Sequence, residues 1–245
     1  MLLRHAAAVG GGKPFRVGSW FKTPVVAWLA LLEPICKLLG PFIGVCDELL
    51  PYQPFFVDGL IDHERIHALQ HTLMYLSIAA SGGADLLCCC HPGSMPEGLD
   101  FLVLAGGFFS QGFILIFHLT GPALDIRLHA LLAVASFAAA ASVALSGVYP
   151  HSSLAHLVRC ACLLTLGSFW WGAGDLMFNR AAYDSNEGVA ISPALYVLHV
   201  AGWMNLLVMA MVACAPARAA GGSSAKKSDE KGETKTFAGD SGEEL

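Results

Sequence analysis

The sequence predicts an all-α protein: a polytopic transmembrane helical bundle of six spans with a polar, disordered C-terminal tail. Three observations carry this reading. Apolar residues fill 55% of the 245 positions and charged residues only 13%, where a soluble domain carries about 25% charge. The mean hydropathy is +0.58. Repeated segments reach the length of about 20 mostly apolar residues that a bilayer crossing needs. In lipid such segments must satisfy their own backbone polar groups, so they are helices. The same composition excludes a disordered chain, which is poor in apolar residues. It also excludes a nucleic-acid binder, since 14 basic residues stand against 19 acidic ones, the net charge is −5 and no basic stripe is present. The lipid bilayer is the partner the composition implies. Protein partners, oligomeric state and organelle are not legible in it.

The elements follow in order. Residues 1–22 form a basic segment without the apolar stretch and cleavage site of a signal peptide. The first apolar segment, about 23–46, is therefore expected to act as a signal anchor. It holds Pro24, Pro34 and Pro41 and must be kinked. Glu33 and Lys37 within it are spaced i,i+4 and can neutralise each other on one face. Further spans are expected at about 67–90, 99–118, 126–148, 154–178 and 190–214. Gly, Pro, Asn and Asp punctuate the short connections. The bundle thus occupies 23–215, and 216–245 reads as the disordered polar tail. The Ser81-Gly82-Gly83-Ala84, Gly106-Gly107 and Gly172-Ala173-Gly174 runs suit close helix packing in lipid.

Six crossings put both termini on one side. Arg4, Lys13, Arg16 and Lys22 precede the bundle, and Arg218, Lys226, Lys227, Lys231 and Lys235 follow it. Only Arg65, Arg127 and Arg180 occupy the opposite connections, so the positive-inside rule predicts cytosolic termini. The eight cysteines show no Cys-x-x-Cys spacing, so no disulfide framework is expected. Cys88, Cys89 and Cys90 end the second span at the predicted cytosolic face, where juxtamembrane thiols are candidates for S-acylation.

Ionisable groups inside a membrane need a reason to be there. His67 and His71 are i,i+4 neighbours, and Asp85 lies further along the same helix. His118 ends the third span, and Asp125 and His129 open the fourth, again i,i+4. Histidine pairs at this spacing can grip one transition metal, with ligands from neighbouring helices completing the shell. The expected site is a buried polar or metal-binding core of His67, His71, Asp85, His118, Asp125 and His129. His63 and His199 are alternative members, and zinc is the cofactor such a set implies. The same residues could instead relay protons in a small-solute or proton transporter. His63-Glu64-Arg65-Ile66-His67 spells H-E-x-x-H, which on a helix presents two zinc ligands and a general base. An intramembrane zinc hydrolase with Glu64 as base is therefore an alternative, although no third-ligand motif follows. The leading reading is non-enzymatic, with no catalytic residue assigned.

Several stretches also carry a family resemblance. Gln70-His71-Thr72-Leu73-Met74-Tyr75, followed by Gly83-Ala84-Asp85-Leu86-Leu87-Cys88, resembles the transmembrane protein 45 family. That domain-of-unknown-function group also includes plant proteins described as viral-response related. Phe117-His118-Leu119-Thr120-Gly121, with Leu124-Asp125-Ile126 and His129, is similar to its H-x-x-G, L-D-I, H element. Leu157-Val158-Arg159, Gly167-Ser168-Phe169-Trp170, Asn186-Glu187 and His199 are similar to its later segments. The resemblance covers roughly residues 25–214. It implies a seven-helix type of bundle, of which this chain lacks the first span, in internal or surface membranes. It implies no established reaction, and H-E-x-x-H and Asp175 are not features of that family.

Overall fold

A computed structural model describes residues 24–50, 55–57, 59–62, 65–91, 95–178 and 186–230. Helix α1 spans Pro24–Leu49, α2 Ile66–Cys90, α3 Leu99–Phe117, α4 Ala123–Val148, α5 Ser153–Phe178 and α6 Asn186–Glu230. A two-residue hairpin, β1 (Phe56–Val57) with β2 (Leu60–Ile61), interrupts the α1–α2 connection. Sequence reading assigned no strand there; the Asp58-Gly59 dipeptide is its local signal, and Gly59 takes φ +78°.

Five helices, α2 to α6, are long and apolar enough to cross a membrane among the described residues. Helix α1 is not one of the five. It forms over the expected first segment with Pro34 and Pro41 inside it. It also carries Glu33, Lys37, Asp47 and Glu48. The expected Glu33–Lys37 pair forms at 2.9 Å. The tail expected from 216 falls partly on the distal stretch of α6, which runs to Glu230, and partly on 231–245, outside the described residues.

Consecutive helices pack side by side, α1 on α2, α2 on α3, α3 on α4 and α4 on α5. Short connections produce this order, because each helix turns back along the one before it. The core lies where α3, α4 and α5 meet, around Leu115, Leu124, Leu128, Leu132, Phe169 and Ala173. Small residues let the backbones approach. A Cβ on Gly107 would lie 2.9 Å from the Ser77 carbonyl oxygen, whereas one on Gly106 would meet nothing. Of each small-residue run, only the member facing a neighbour is therefore under steric constraint. Buried serines on α4 return their hydroxyls to their own helix, Ser136 to Leu132 O at 2.8 Å and Ser142 to Ala139 O at 2.8 Å. That satisfies a polar group that lipid and core cannot. Outward positions such as Leu102, Phe117, Leu154 and Trp171 are exposed apolar residues, as lipid contact demands.

Two compact units divide the chain after Trp203. Within the first, α6 rests on α5 through Tyr196 against Phe169, with ring centroids 5.1 Å apart. Trp203 Nε1 also donates to Ser168 Oγ at 2.9 Å. Among the described residues, the second unit is the remainder of α6, with Leu206, Val208 and Met209 exposed.

Candidate metal centre

One end of the bundle collects four imidazoles. His67 and His71 sit in the first two turns of α2, His118 directly follows α3, and His129 lies in the second turn of α4. The turn between α3 and α4 brings the last two together. Thr120 N donates to His118 O at 2.9 Å, and Gly121 takes φ +99°. This backbone conformation favours glycine. A Cβ there would also lie 3.2 Å from Asp125 Oδ2. His118 then stands at the centre of the cluster. Its ring centroid lies 4.5 Å from His67, 5.1 Å from His71 and 4.8 Å from His129.

Ring nitrogens of His71, His118 and His129 lie within 4.8 Å of one another. Each of these rings is held at Nδ1 by an oxygen that can only accept. His71 Nδ1 is 2.7 Å from Glu48 Oε1. His118 Nδ1 is 2.7 Å from Gln70 Oε1. His129 Nδ1 is 2.8 Å from the Asp125 carbonyl oxygen. A carboxylate, an amide oxygen and a carbonyl accept but do not donate, so Nδ1 carries the proton in each ring. Nε2 is then the lone-pair nitrogen of each neutral imidazole. A metal-binding histidine is fixed in the same way, by an acceptor on its other nitrogen.

His118 lies just past the end of α3. Burial, and then the neighbouring His129, His71 and His67, push its pKa down from 6.5 to about 4. It is neutral at pH 7 and its Nε2 is available. Asp125 Oδ1 is buried and lies 3.1 Å from His129 Nδ1. That N–H is directed to the Asp125 carbonyl, so Oδ1 receives no aligned hydrogen bond. A buried carboxylate oxygen left this way is an attractive neighbour for a cation.

Three imidazoles form a donor set suited to zinc, copper, nickel or iron rather than to magnesium or calcium. Tetrahedral zinc at about 2.0–2.1 Å per nitrogen sets its ligand atoms roughly 3.3 Å apart. The present separation, within 4.8 Å, is wider than that value. In donor chemistry the residues fit such an ion.

The structure sorts the residues named from sequence. His71, His118 and His129 converge, with Asp125 beside them. His67 borders the group, its Nδ1 3.1 Å from His118 Nδ1. Asp85 does not join them, which corrects the expectation of one shared core. It follows His71 by 14 residues, about 21 Å along a helix at 1.5 Å per residue. There Lys37 Nζ holds its Oδ2 at 2.7 Å. His199 lies apart too, packed against Phe169 at 6.1 Å between ring centroids. His63 and Glu64 fall outside the described residues, and α2 begins only at Ile66. Cys88, Cys89 and Cys90 form the last three positions of α2. Glu48 and Gln70 went unassigned in the sequence reading. Nothing local couples Glu48 to a histidine 23 positions away.

Residues 97–189 match the model of a family of unknown function, DUF716. The matched stretch covers α3, α4, α5 and the first residues of α6. His118, Gly121, Asp125 and His129 lie inside it, while Glu48, His67, Gln70 and His71 lie before it. The chain is similar to DUF716 over the half of the site built by the α3–α4 turn.

Proposed function

We propose that this chain is a multi-pass membrane protein of the transmembrane protein 45 type that holds one transition-metal ion, with zinc as the leading candidate. The ligands are the Nε2 atoms of His71, His118 and His129. With α1 counted as a sixth crossing, packed along α2, both termini lie in the cytosol, and the metal centre lies at the opposite end of the bundle. The supporting observation is the triple anchoring: three rings from three different helix ends each have Nδ1 tied to an acceptor. Bound metal ties α2 to the α3–α4 turn and stabilises the bundle by preferring the folded state. Asp125 adds negative charge beside the ion.

The test is elemental analysis of detergent-purified protein, comparing wild type with His71→Ala and His118→Ala. Near-stoichiometric zinc, copper, nickel or iron in wild type, lost in both variants while their monodispersity is kept, supports the site. Wild-type protein that stays metal-free after incubation with micromolar zinc rules it out.

A further inference from the structure

The three-cysteine run at the end of α2 lies at the other end of the bundle from the histidines. The membrane-spanning stretch of α2 ends at Cys90. The helix closes there, with His91 N donating to Leu87 O at 2.9 Å. The thiols therefore sit at the depth where hydrocarbon gives way to headgroups. Successive residues on a helix diverge by about 100°, so the three thiols face three directions and cannot share one metal ion. Cys90 is exposed. It continues the outward stripe of α2 formed by Leu73, Leu76 and Leu87, all about half exposed. Cys88 instead lies against the backbone at Asp100, at the start of α3.

We propose that this run is S-acylated, with Cys90 the principal acceptor and a long-chain fatty acyl group the modification. The thiolate sulfur of Cys90 attacks the thioester carbonyl of a fatty acyl donor of the coenzyme A class. A new carbon–sulfur bond forms, the donor's carbon–sulfur bond breaks, and the donor thiol leaves with the proton. No oxidant or reductant takes part. The acyl chain then turns back into the bilayer along Leu87 and Leu76, where its burial in hydrocarbon stabilises the arrangement. Acylation anchors the α2–α3 connection to the membrane surface. The proposal rests on the orientation given above, because the acyl donor is cytosolic.

Acyl exchange on the full-length protein from a eukaryotic host tests it. Thioesters are cleaved with hydroxylamine, and the released thiols are tagged with a maleimide that adds mass. A hydroxylamine-dependent shift is expected in wild type. It should fall to background when Cys88, Cys89 and Cys90 are all changed to Ser, and persist when the other five cysteines are changed instead. A variant keeping Cys90 alone of the three should retain most of the shift. A second measurement, metabolic labelling with an alkynyl fatty acid and mass spectrometry of the α2 peptide, covers a triple variant that folds poorly. Absence of the shift in wild type, or its persistence in the triple variant, overturns the proposal. Labelling of Cys90 with an impermeant maleimide in sealed microsomes separates the two readings. Cytosolic access without acylation defeats the acylation alone. Lumenal access defeats the orientation, and the acylation with it.

Discussion

Nδ1 of His71 on α2 lies 2.7 Å from Oε1 of Glu48, in the last turn of α1. The contact joins the proline-containing first helix to the histidine cluster. Arg65 supports it by donating from Nη2 to the Glu48 carbonyl oxygen at 2.9 Å. The end of α1 is thus fixed to the start of α2 at two points.

Glu48 contacts His71 at Nδ1, away from the proposed ligand nitrogen, so under the proposed function its removal should weaken metal binding rather than abolish it. Loss of such an outer partner typically costs about 10–100-fold in affinity. Glu48→Ala should raise the zinc Kd by that range in competition with a chromogenic chelator. Asp47→Ala should leave it unchanged. An unaltered Kd in Glu48→Ala would sink the positioning role.

His63→Ala should leave both bound metal and Kd as in wild type, because the proposed ligands do not include the first histidine of the H-E-x-x-H string. The same elemental analysis reads this. Loss of metal in His63→Ala would restore that string as the centre.

Close approach of α2 and α3 depends on Gly107. A methyl group there meets the Ser77 carbonyl oxygen at 2.9 Å, and backbone on both sides cannot yield. Gly107→Ala should cost about 1–3 kcal/mol, the usual range for overpacking. Gly106→Ala, which meets nothing, should leave the Tm in detergent unchanged. Equal effects of the two would refute the proposed packing.

Metal-free protein should lose stability on acidification because of His118. Its folded-state pKa, about 4, lies below its ordinary value of 6.5. As pH falls, the unfolded chain takes up the proton first and is favoured by doing so. The His118 contribution is therefore unperturbed above pH 6.5, worsens between 6.5 and 4, and levels off below. Thermal melts in chelator from pH 7 to 4 should show wild type declining more than His118→Gln. Parallel curves would contradict this.

Lys37 holds Asp85 inside the bundle at 2.7 Å, with Asp85 only 5% exposed. Lys37→Met removes that cation and should destabilise the protein by about 3–5 kcal/mol, the usual cost of breaking a buried pair. Lys37→Met with Asp85→Leu should recover part of the loss, because the more deeply buried carboxylate is gone while Glu33 still loses its 2.9 Å contact with Lys37. Thermal melts of the three proteins decide it, and an additive double variant would show that the pair is not coupled.

The sequence by itself determined the membrane class, the positions of the apolar helices and the Glu33–Lys37 pairing, and its candidates included the three histidines that the fold brings together, His71, His118 and His129, and Asp125 beside them. These are local properties. Hydropathy over about 20 residues and spacing along one helix need no knowledge of the neighbours. Tertiary structure decided the rest. It separated Asp85 from the histidines, because one helix face can carry residues to opposite membrane surfaces. It brought in Glu48 from α1 and Gln70 from α2, because an orienting acceptor is defined by which helix packs alongside. The physical reason is that apolar periodicity specifies a helix and its buried stripe, whereas the meeting of polar side chains depends on helix order and axial register, which only packing sets.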